Sequence, residues 1–308
     1  MLHLAIVVTA APAAYLLTPA DMRRVFDRLP FAWRIDQRWL GRGEAWEAQI
    51  LVPGPDQAAE AMGTARDALA GRAVDINLVP AGRHRRKQLL VADMESTIIE
   101  QEMIDELATV AHVRHRIAPI TERTMRGELD FVASLTQRVA LLAHLDAALL
   151  ETLFEERVSF MPGALTLVRT MKRHGATAAL VSGGFSQFTA QVAERLGFDH
   201  HQGNTVEIAH GLLTGRLRAP ILGPEAKLAA LCRMAAEKSL ACSDTLAVGD
   251  GANDIPMLTG AGLGVAFRAK PKVRDSLAAL RTGAVVDHGD LTALLYLQGY
   301  RREEFAQY

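Results

Sequence analysis

The chain has 308 residues, enough for about two domains, and its 49% apolar and 22% charged content is that of an ordinary globular protein. A net charge of −1 argues against nucleic acid or an anionic membrane as partner. Ten His without metal-site spacing and two Cys outside any Cys-x-x-Cys pair exclude the common zinc and disulfide frameworks, which points to a reducing, cytoplasmic setting.

In chain order, residues 2–17 are apolar and Ala-rich, but no Lys or Arg precedes them and Pro12 divides them. A strand over 2–9 is therefore predicted in place of a secretory signal. No run reaches the roughly 18 apolar residues of a transmembrane helix. Thr18-Pro19 opens a predicted helix over 19–29, with Thr18 as its N-cap. A strand over 44–52, a helix over 57–69 and a strand over 74–79 complete a small α/β unit, residues 1–82. The basic segment 80–88 carries no aromatic residues and reads as a solvated linker, not a nucleic-acid patch.

A second unit, 83–308, opens with the apolar run 89–92, and similar runs recur at 177–181 and 245–248. Each precedes a loop and then a helical pattern, as in parallel βα units covered on both faces. Between the first two runs, about 105–160, the pattern is helical throughout, including Leu141-Leu142-x-x-Leu145. Such an insertion predicts a lid over the sheet edge. His200-His201 reads as a solvated pair in a turn, and Cys232 as a core residue of a helix.

The loops after the three runs carry the chemistry. They are Asp93-Met94-Glu95-Ser96-Thr97, Ser182-Gly183-Gly184, and Gly249-Asp250-Gly251-Ala252-Asn253-Asp254. In an open α/β sheet all three converge beyond the carboxyl ends of the strands. Asp93 is a candidate nucleophile, and Asp250 and Asp254 are spaced to hold a hard cation such as Mg²⁺. Ser182-Gly183 is expected to open a helix from Phe185 whose amides bind anionic oxygens. Lys227 could neutralise a phosphate and the attacking carboxylate. Taken singly, each has an ordinary structural explanation. The combination, in this order and each after a strand, favours metal-assisted phosphoryl transfer.

These motifs resemble those of the haloacid dehalogenase superfamily and, within it, the phosphoserine phosphatases, over about residues 88–295. Further segments carry the narrower likeness: Glu102-x-Ile104-Asp105-Glu106-Leu107, Met125-Arg126-Gly127 and Ser134-Leu135-Thr136-Gln137-Arg138-Val139. The resemblance implies a Rossmannoid parallel sheet with a helical cap, preceded by a small ACT-like α/β domain. It implies hydrolysis of O-phospho-L-serine, the last step of serine biosynthesis, through a phosphorylated Asp93. Mg²⁺ would be held by Asp93, Asp250 and the backbone carbonyl of Glu95, with Asp254 in support. Ser182, the amide of Gly183 and Lys227 would hold the phosphate, Glu102 the substrate ammonium and Arg138 its carboxylate, with Asn253 also at the substrate. The partner would be a small phosphate ester, with a homodimer as the candidate assembly.

Glu95 stands where the family usually has Asp, the acid that protonates the leaving oxygen and then activates water. The added methylene shifts the carboxylate by about 1 Å, which can cost on the order of 10²-fold in rate. On this ground Glu95→Asp is expected to raise phosphate release. Three readings stay open: a working acid/base, a phosphotransferase to another alcohol (relatives with Asp-x-Glu resemble this chain too), or an impaired phosphoamino-acid-binding protein.

Overall fold

The computed structural model describes residues 1–11, 14–125, 128–278, 280 and 283–307. Pro12, expected to divide the N-terminal run, and Arg126-Gly127 of the cap segment lie outside the described residues.

The first unit runs β1 (Leu2–Ala10), α1 (Pro19–Phe26), β2 (Arg34–Gly41), β3 (Ala45–Val52), α2 (Pro55–Ala68), β4 (Val74–Pro80). Its strands pair antiparallel in the order β2-β3-β1-β4. Thr18 caps α1 as expected and forms a reciprocal capping box with Asp21, worth about 1 kcal/mol. Strand β2 was not anticipated. Its sequence scatters charges, and two register shifts against β3 erase the alternation that marks a strand. Strand β1 serves two cores. Leu4, Ile6 and Val8 pack with Val25, Ala61 and Ala65 beneath the unit's own helices. Ala5 and Val7 pack with Leu294 and Tyr296 of the second unit. One face of this sheet is thus covered by the other unit.

The second unit begins with β5 (Leu89–Ala92), followed by the insertion α3 (Met103–Val110), α4 (Arg114–Met125), α5 (Phe131–Ala140) and α6 (Ala148–Arg157). Then come α7 (Ala164–Arg173), β6 (Thr177–Phe185), α8 (Ser186–Leu196), β7 (His200–Asn204), β8 (Val206–Ala209), β9 (Leu212–Leu217) and α9 (Pro224–Glu237). The chain closes with β10 (Thr245–Gly249), α10 (Ile255–Gly260), β11 (Leu263–Phe267), α11 (Pro271–Ala278), β12 (Gly283–Val286) and α12 (Ala293–Leu297). The main sheet is parallel, in the order β12-β11-β10-β5-β6-β7. Leu90 and Ala92 of β5 face one core and Leu89 and Val91 the other, so both faces are buried. The chain order reverses direction across β5 and β10, which sets the ligand crevice at their carboxyl ends.

Several expectations need correction. Strand β6 continues through Gly183-Gly184 to Phe185, with a register shift against β7, and α8 starts only at Ser186. Ser182 and Gly183 therefore sit on an irregular strand end and do not open a helix. His200 and His201 are exposed but belong to edge strand β7, not a turn. Cys232 is exposed on α9 instead of buried. The helix expected through Leu145 ends at Ala140, because residues 141–145 turn back, His144 adopting φ of 70°. There the chain meets the β8–β9 hairpin: the His144 amide donates to Leu213 and the Leu213 amide to Leu145. The lid thus draws on a second stretch of sequence.

The segment 80–88 is not a solvated linker. Arg85 and Lys87 are buried. Arg85 Nη2 donates to Glu47 Oε2 at 2.5 Å and its Nε to the Leu297 carbonyl at 3.0 Å. Lys87 Nζ donates to the carbonyls of His84 and Ser243. Alongside, the Asn77 side-chain amide bonds both the N–H and the C=O of Val285, and Asp75 accepts the amides of Asp287, His288 and Gly289. These contacts join edge strand β4 to edge strand β12.

Candidate active site

Asp93 follows β5 directly. Its amide donates to Val248 of β10, extending the ladder by one residue, and its Oδ1 accepts the Met94 amide at 2.8 Å. The amides of Ile98 and Ile99 both return to the Met94 carbonyl, while Ser96 takes φ of 54°. This tight turn directs Glu95 and Glu102 back toward Asp93. Ser96 Oγ fixes Glu102 by donating to its Oε1 at 2.9 Å.

Lys227, on the first turn of α9, is buried and bridges Asp93 Oδ1 at 2.7 Å and Asp254 Oδ1 at 2.6 Å. Asp254 also closes its own loop, its Oδ2 accepting the Gly251 amide at 3.0 Å. Asp250 lies beside this group, with Thr97 Oγ1 at 3.5 Å and Lys270 Nζ at 3.9 Å. Oxygens of Asp93, Asp250 and Asp254 all fall within 4.8 Å of one another.

Three acids around one buried ammonium leave an excess of negative charge. Burial, then the Asp254 carboxylate, push Asp93 well above the usual carboxylate range despite Lys227. Asp250 is pushed up to about 6, by burial first and Asp254 second. Burial disfavours the Lys227 ammonium, but Asp254 and Asp93 outweigh it and hold the ammonium more firmly than in free lysine. An oxygen-rich, under-neutralised cluster of this kind fits a hard divalent cation, which would relieve the repulsion and return the acids to their charged forms.

Above the cluster lies a cavity of about 130 Å³. Asp93, Glu95, Glu102, Arg138, Ser182, Gly183, Asp250 and Asn253 all line it, so eight of the expected site residues converge on one space. Lys227 and Asp254 underlie it through their bonds to Asp93 and to each other. Ser182 Oγ accepts the Gly184 amide at 2.9 Å, which leaves its own proton free to donate. Arg138, on α5, presents a buried Nε with no hydrogen-bond partner, a desolvated donor that costs about 1–3 kcal/mol until something accepts from it.

Glu95 does not join the three-acid cluster. Its Oε1 accepts the amide of Met103, the first residue of lid helix α3, at 2.8 Å. Its carboxylate lies over Gly184, where a Cβ would come within 2.9 Å of Oε2. The added methylene is thus accommodated by a glycine beneath and an amide ahead. Burial and then the neighbouring Glu102 push its pKa up to about 8, against the opposing pull of the Met103 amide and Arg138. A carboxyl raised in this direction is suited to carrying a proton and giving it up.

Sequence reasoning missed three contributors. Phe131 packs over Gly183, where a Cβ would meet its Cζ at 2.7 Å, so the lid rests on the Ser182-Gly183 loop. Asn204, buried at the end of β7, donates to the Gly183 carbonyl and accepts the Leu222 amide, tying that loop to the approach of α9. Lys270 lines the cavity as a second cation. None carries a motif of its own; only Lys270, just before Pro271 at the start of α11, sits at a recognisable loop position.

Comparison with known proteins agrees with this geometry. Residues 90–259 match the family model described as haloacid dehalogenase-like hydrolase. A phosphoserine phosphatase of Streptomyces coelicolor is 48% identical over 244 residues, 78% of this chain but 58% of that protein. The chain therefore spans little more than half of that longer relative. A probable phosphoserine phosphatase of Schizosaccharomyces pombe is 35% identical over 298 residues, 94% of this chain and 96% of the relative. The crystal structure of a probable phosphoserine phosphatase from Vibrio cholerae superposes with a TM-score of 0.75 at 31% identity, covering 96% of this chain and 86% of that one. With the Asp93 loop, the Ser182-Gly183 loop and the acid cluster assembled at the ends of β5, β6 and β10, the chain belongs to the haloacid dehalogenase-like hydrolase family, among relatives named phosphoserine phosphatases.

Proposed function

We propose that the protein hydrolyses O-phospho-L-serine to L-serine and phosphate through an aspartyl-phosphate at Asp93. The observation that carries the substrate is the pairing of Arg138, whose buried Nε lacks a partner, with Glu102 in the same small cavity as Asp93. A guanidinium fork suits the serine carboxylate and Glu102 suits its ammonium. A cavity of about 130 Å³ favours a free amino-acid ester over a phosphorylated polypeptide.

In this reading an Asp93 oxygen attacks phosphorus while Glu95 gives its proton to the departing serine oxygen. The resulting Glu95 carboxylate then takes a proton from water, which attacks the aspartyl-phosphate and regenerates Asp93. Ser182 donates its hydroxyl proton to the phosphate, the Gly183 amide and Asn253 hold further oxygens, and Lys227 offsets the charge that gathers on Asp93. Asp93, Asp250 and the Glu95 carbonyl would hold Mg²⁺, with Asp254 adjoining; when bound, the ion supplies positive charge to the phosphoryl oxygens. The seat of Glu95 between the Met103 amide and Gly184 at the edge of the cavity, with its carboxyl pushed up by burial, supports a working acid/base over an impaired binding protein. Residues 1–82 form an ACT-like unit in the same proposal, supported by the β2-β3-β1-β4 order with two helices on one face. A reducing cytoplasmic setting fits the two free thiols, Cys232 and Cys242. Among the described residues no helix is long and apolar enough to cross a membrane.

The test is Mg²⁺-dependent phosphate release from L-phosphoserine, with Asp93→Asn as the control. Release by the parent protein, abolished in the variant, is expected. Equal release by both would sink the Asp93 mechanism. Phospho-enzyme that discharges only when an alcohol is added would replace hydrolysis by transfer.

A further inference from the structure

We propose that the hollow between the two units is an effector site for a small organic ammonium ion, independent of the reading given above for the catalytic cleft. This hollow, about 380 Å³, is lined by Thr9, Glu44, Gly163, Asp290, Tyr296 and Arg302, among others. None of these residues belongs to the catalytic cavity.

Its chemistry is that of an ammonium receptor. Thr9 is 2% exposed and its hydroxyl hydrogen-bonds to nothing. A buried polar group in that state is destabilising until a partner arrives. Two carboxylates face the same space. Glu44 Oε2 accepts the Tyr296 hydroxyl at 2.7 Å and has Arg302 Nε at 3.7 Å. Asp290 Oδ1 accepts the amide and hydroxyl of Thr292, and Asp290 forms no ion pair among the described residues. Both acids act on the Tyr296 phenol, which burial first and Glu44 next push above its ordinary range. Two carboxylates therefore face one half-exposed guanidinium. An ammonium brings three N–H donors, and Glu44, Asp290 and the Thr9 hydroxyl are three acceptors.

The hollow is also wired to the catalytic turn. Its wall at Gly163 abuts Asp290 and Thr292, where a Cβ would meet the Thr292 nitrogen at 2.7 Å. The preceding Pro162 carbonyl accepts the Leu291 amide. On its other side this segment is stitched to the turn after Asp93: the Met161 amide donates to Ile98, the Glu100 amide to Ser159, and Ile99 bridges Phe160. A ligand that draws Asp290 toward Glu44 pulls on a strip whose far edge holds residues 98–100. Such coupling is reciprocal between the two sites.

Ethanolamine is a suitable probe and ethylene glycol its uncharged control. Titration calorimetry on the full chain should show ethanolamine binding and no glycol binding. Glu44→Gln and Asp290→Asn should each weaken that binding by about 10-fold, while Glu102→Gln in the catalytic cavity should leave it intact. Thermal melts establish that each variant is folded, and either one alone suffices. Absence of binding at millimolar ethanolamine, binding by both variants as tight as the parent's, or loss only in Glu102→Gln would overturn the site. Saturating ethanolamine should also change phosphate-ester turnover at least about two-fold in the parent and not in Glu44→Gln. Binding without any such change would overturn the effector role.

Discussion

At the candidate active site Asp93 and Asp254 share one buried ammonium, Lys227, while Asp250 beside them has, among the described residues, only the exposed Lys270 at 3.9 Å. At the seam between the units one carboxylate, Glu47, lies between two guanidiniums, Arg38 at 2.7 Å and Arg85 at 2.5 Å. Both clusters are buried, yet their acids move in opposite directions. Burial raises Asp93 and the surrounding acids raise it further, whereas at Glu47 burial is outweighed by Arg85 and Arg38 and the carboxyl drops below its ordinary value. The seam is electrostatically complete as it stands. The cleft is left with surplus negative charge, a condition that a structural ion pair would not tolerate and that a cation and a phosphate can use.

The contrast can be broken from either side. The largest effect is expected for Lys227→Met, which strands Asp93 and Asp254 without their counter-charge. Phosphate release should fall by more than about 10³-fold and stability by about 3–5 kcal/mol, measured by a turnover assay and urea unfolding. Part of that lost stability should return with added Mg²⁺; a variant as stable as the parent without metal would contradict the surplus-charge account. Arg85→Met should cost a similar 3–5 kcal/mol of unfolding free energy, because Glu47 is left buried and unpaired. The folded fraction should still turn over within about two-fold of the parent. A large loss of turnover in the folded state would mean that the seam is no mere support.

Glu95→Asp sharpens the picture of the cleft. Length alone suggested that the shorter acid would be faster. With Glu95 Oε1 bonded to the Met103 amide and the carboxylate seated on Gly184, the direction reverses. The Asp variant should release phosphate about 10²-fold more slowly, since its oxygens retreat from both supports, and steady-state kinetics will show which sign holds. The smallest effect is expected for Arg138→Lys. KM for phosphoserine should rise about 10-fold, while phosphoethanolamine, which has no carboxylate, should be unaffected. Equal losses on both esters would remove Arg138 from carboxylate recognition.

Much of this cleft was readable from sequence because each loop follows a short buried strand: Asp93 after 89–92, Ser182 in the continuation of the second run, 177–181, and Asp250 after 245–248. Position relative to a strand end is local information. What stayed hidden depends on remote partners. Arg85 and Lys87 look solvated beside their neighbours and are buried only because Glu47, Leu297 and Ser243 receive them. Strand β2 was obscured by its charges and register shifts. The hold of Glu95 on Met103 spans eight residues with no pattern to betray it. Asn204 reaches the Gly183 carbonyl only once β7 has paired with β6.

The double allegiance of β1 has a bearing on how the molecule is made. Ala5 and Val7 are made well before Leu294 and Tyr296, which share the core that covers them. Helix α12 lies directly against β1. Until it emerges, the first unit can close its helical side but must carry an uncovered apolar flank while the whole second unit is made, a window in which chaperone capture or mispairing competes with completion of the fold.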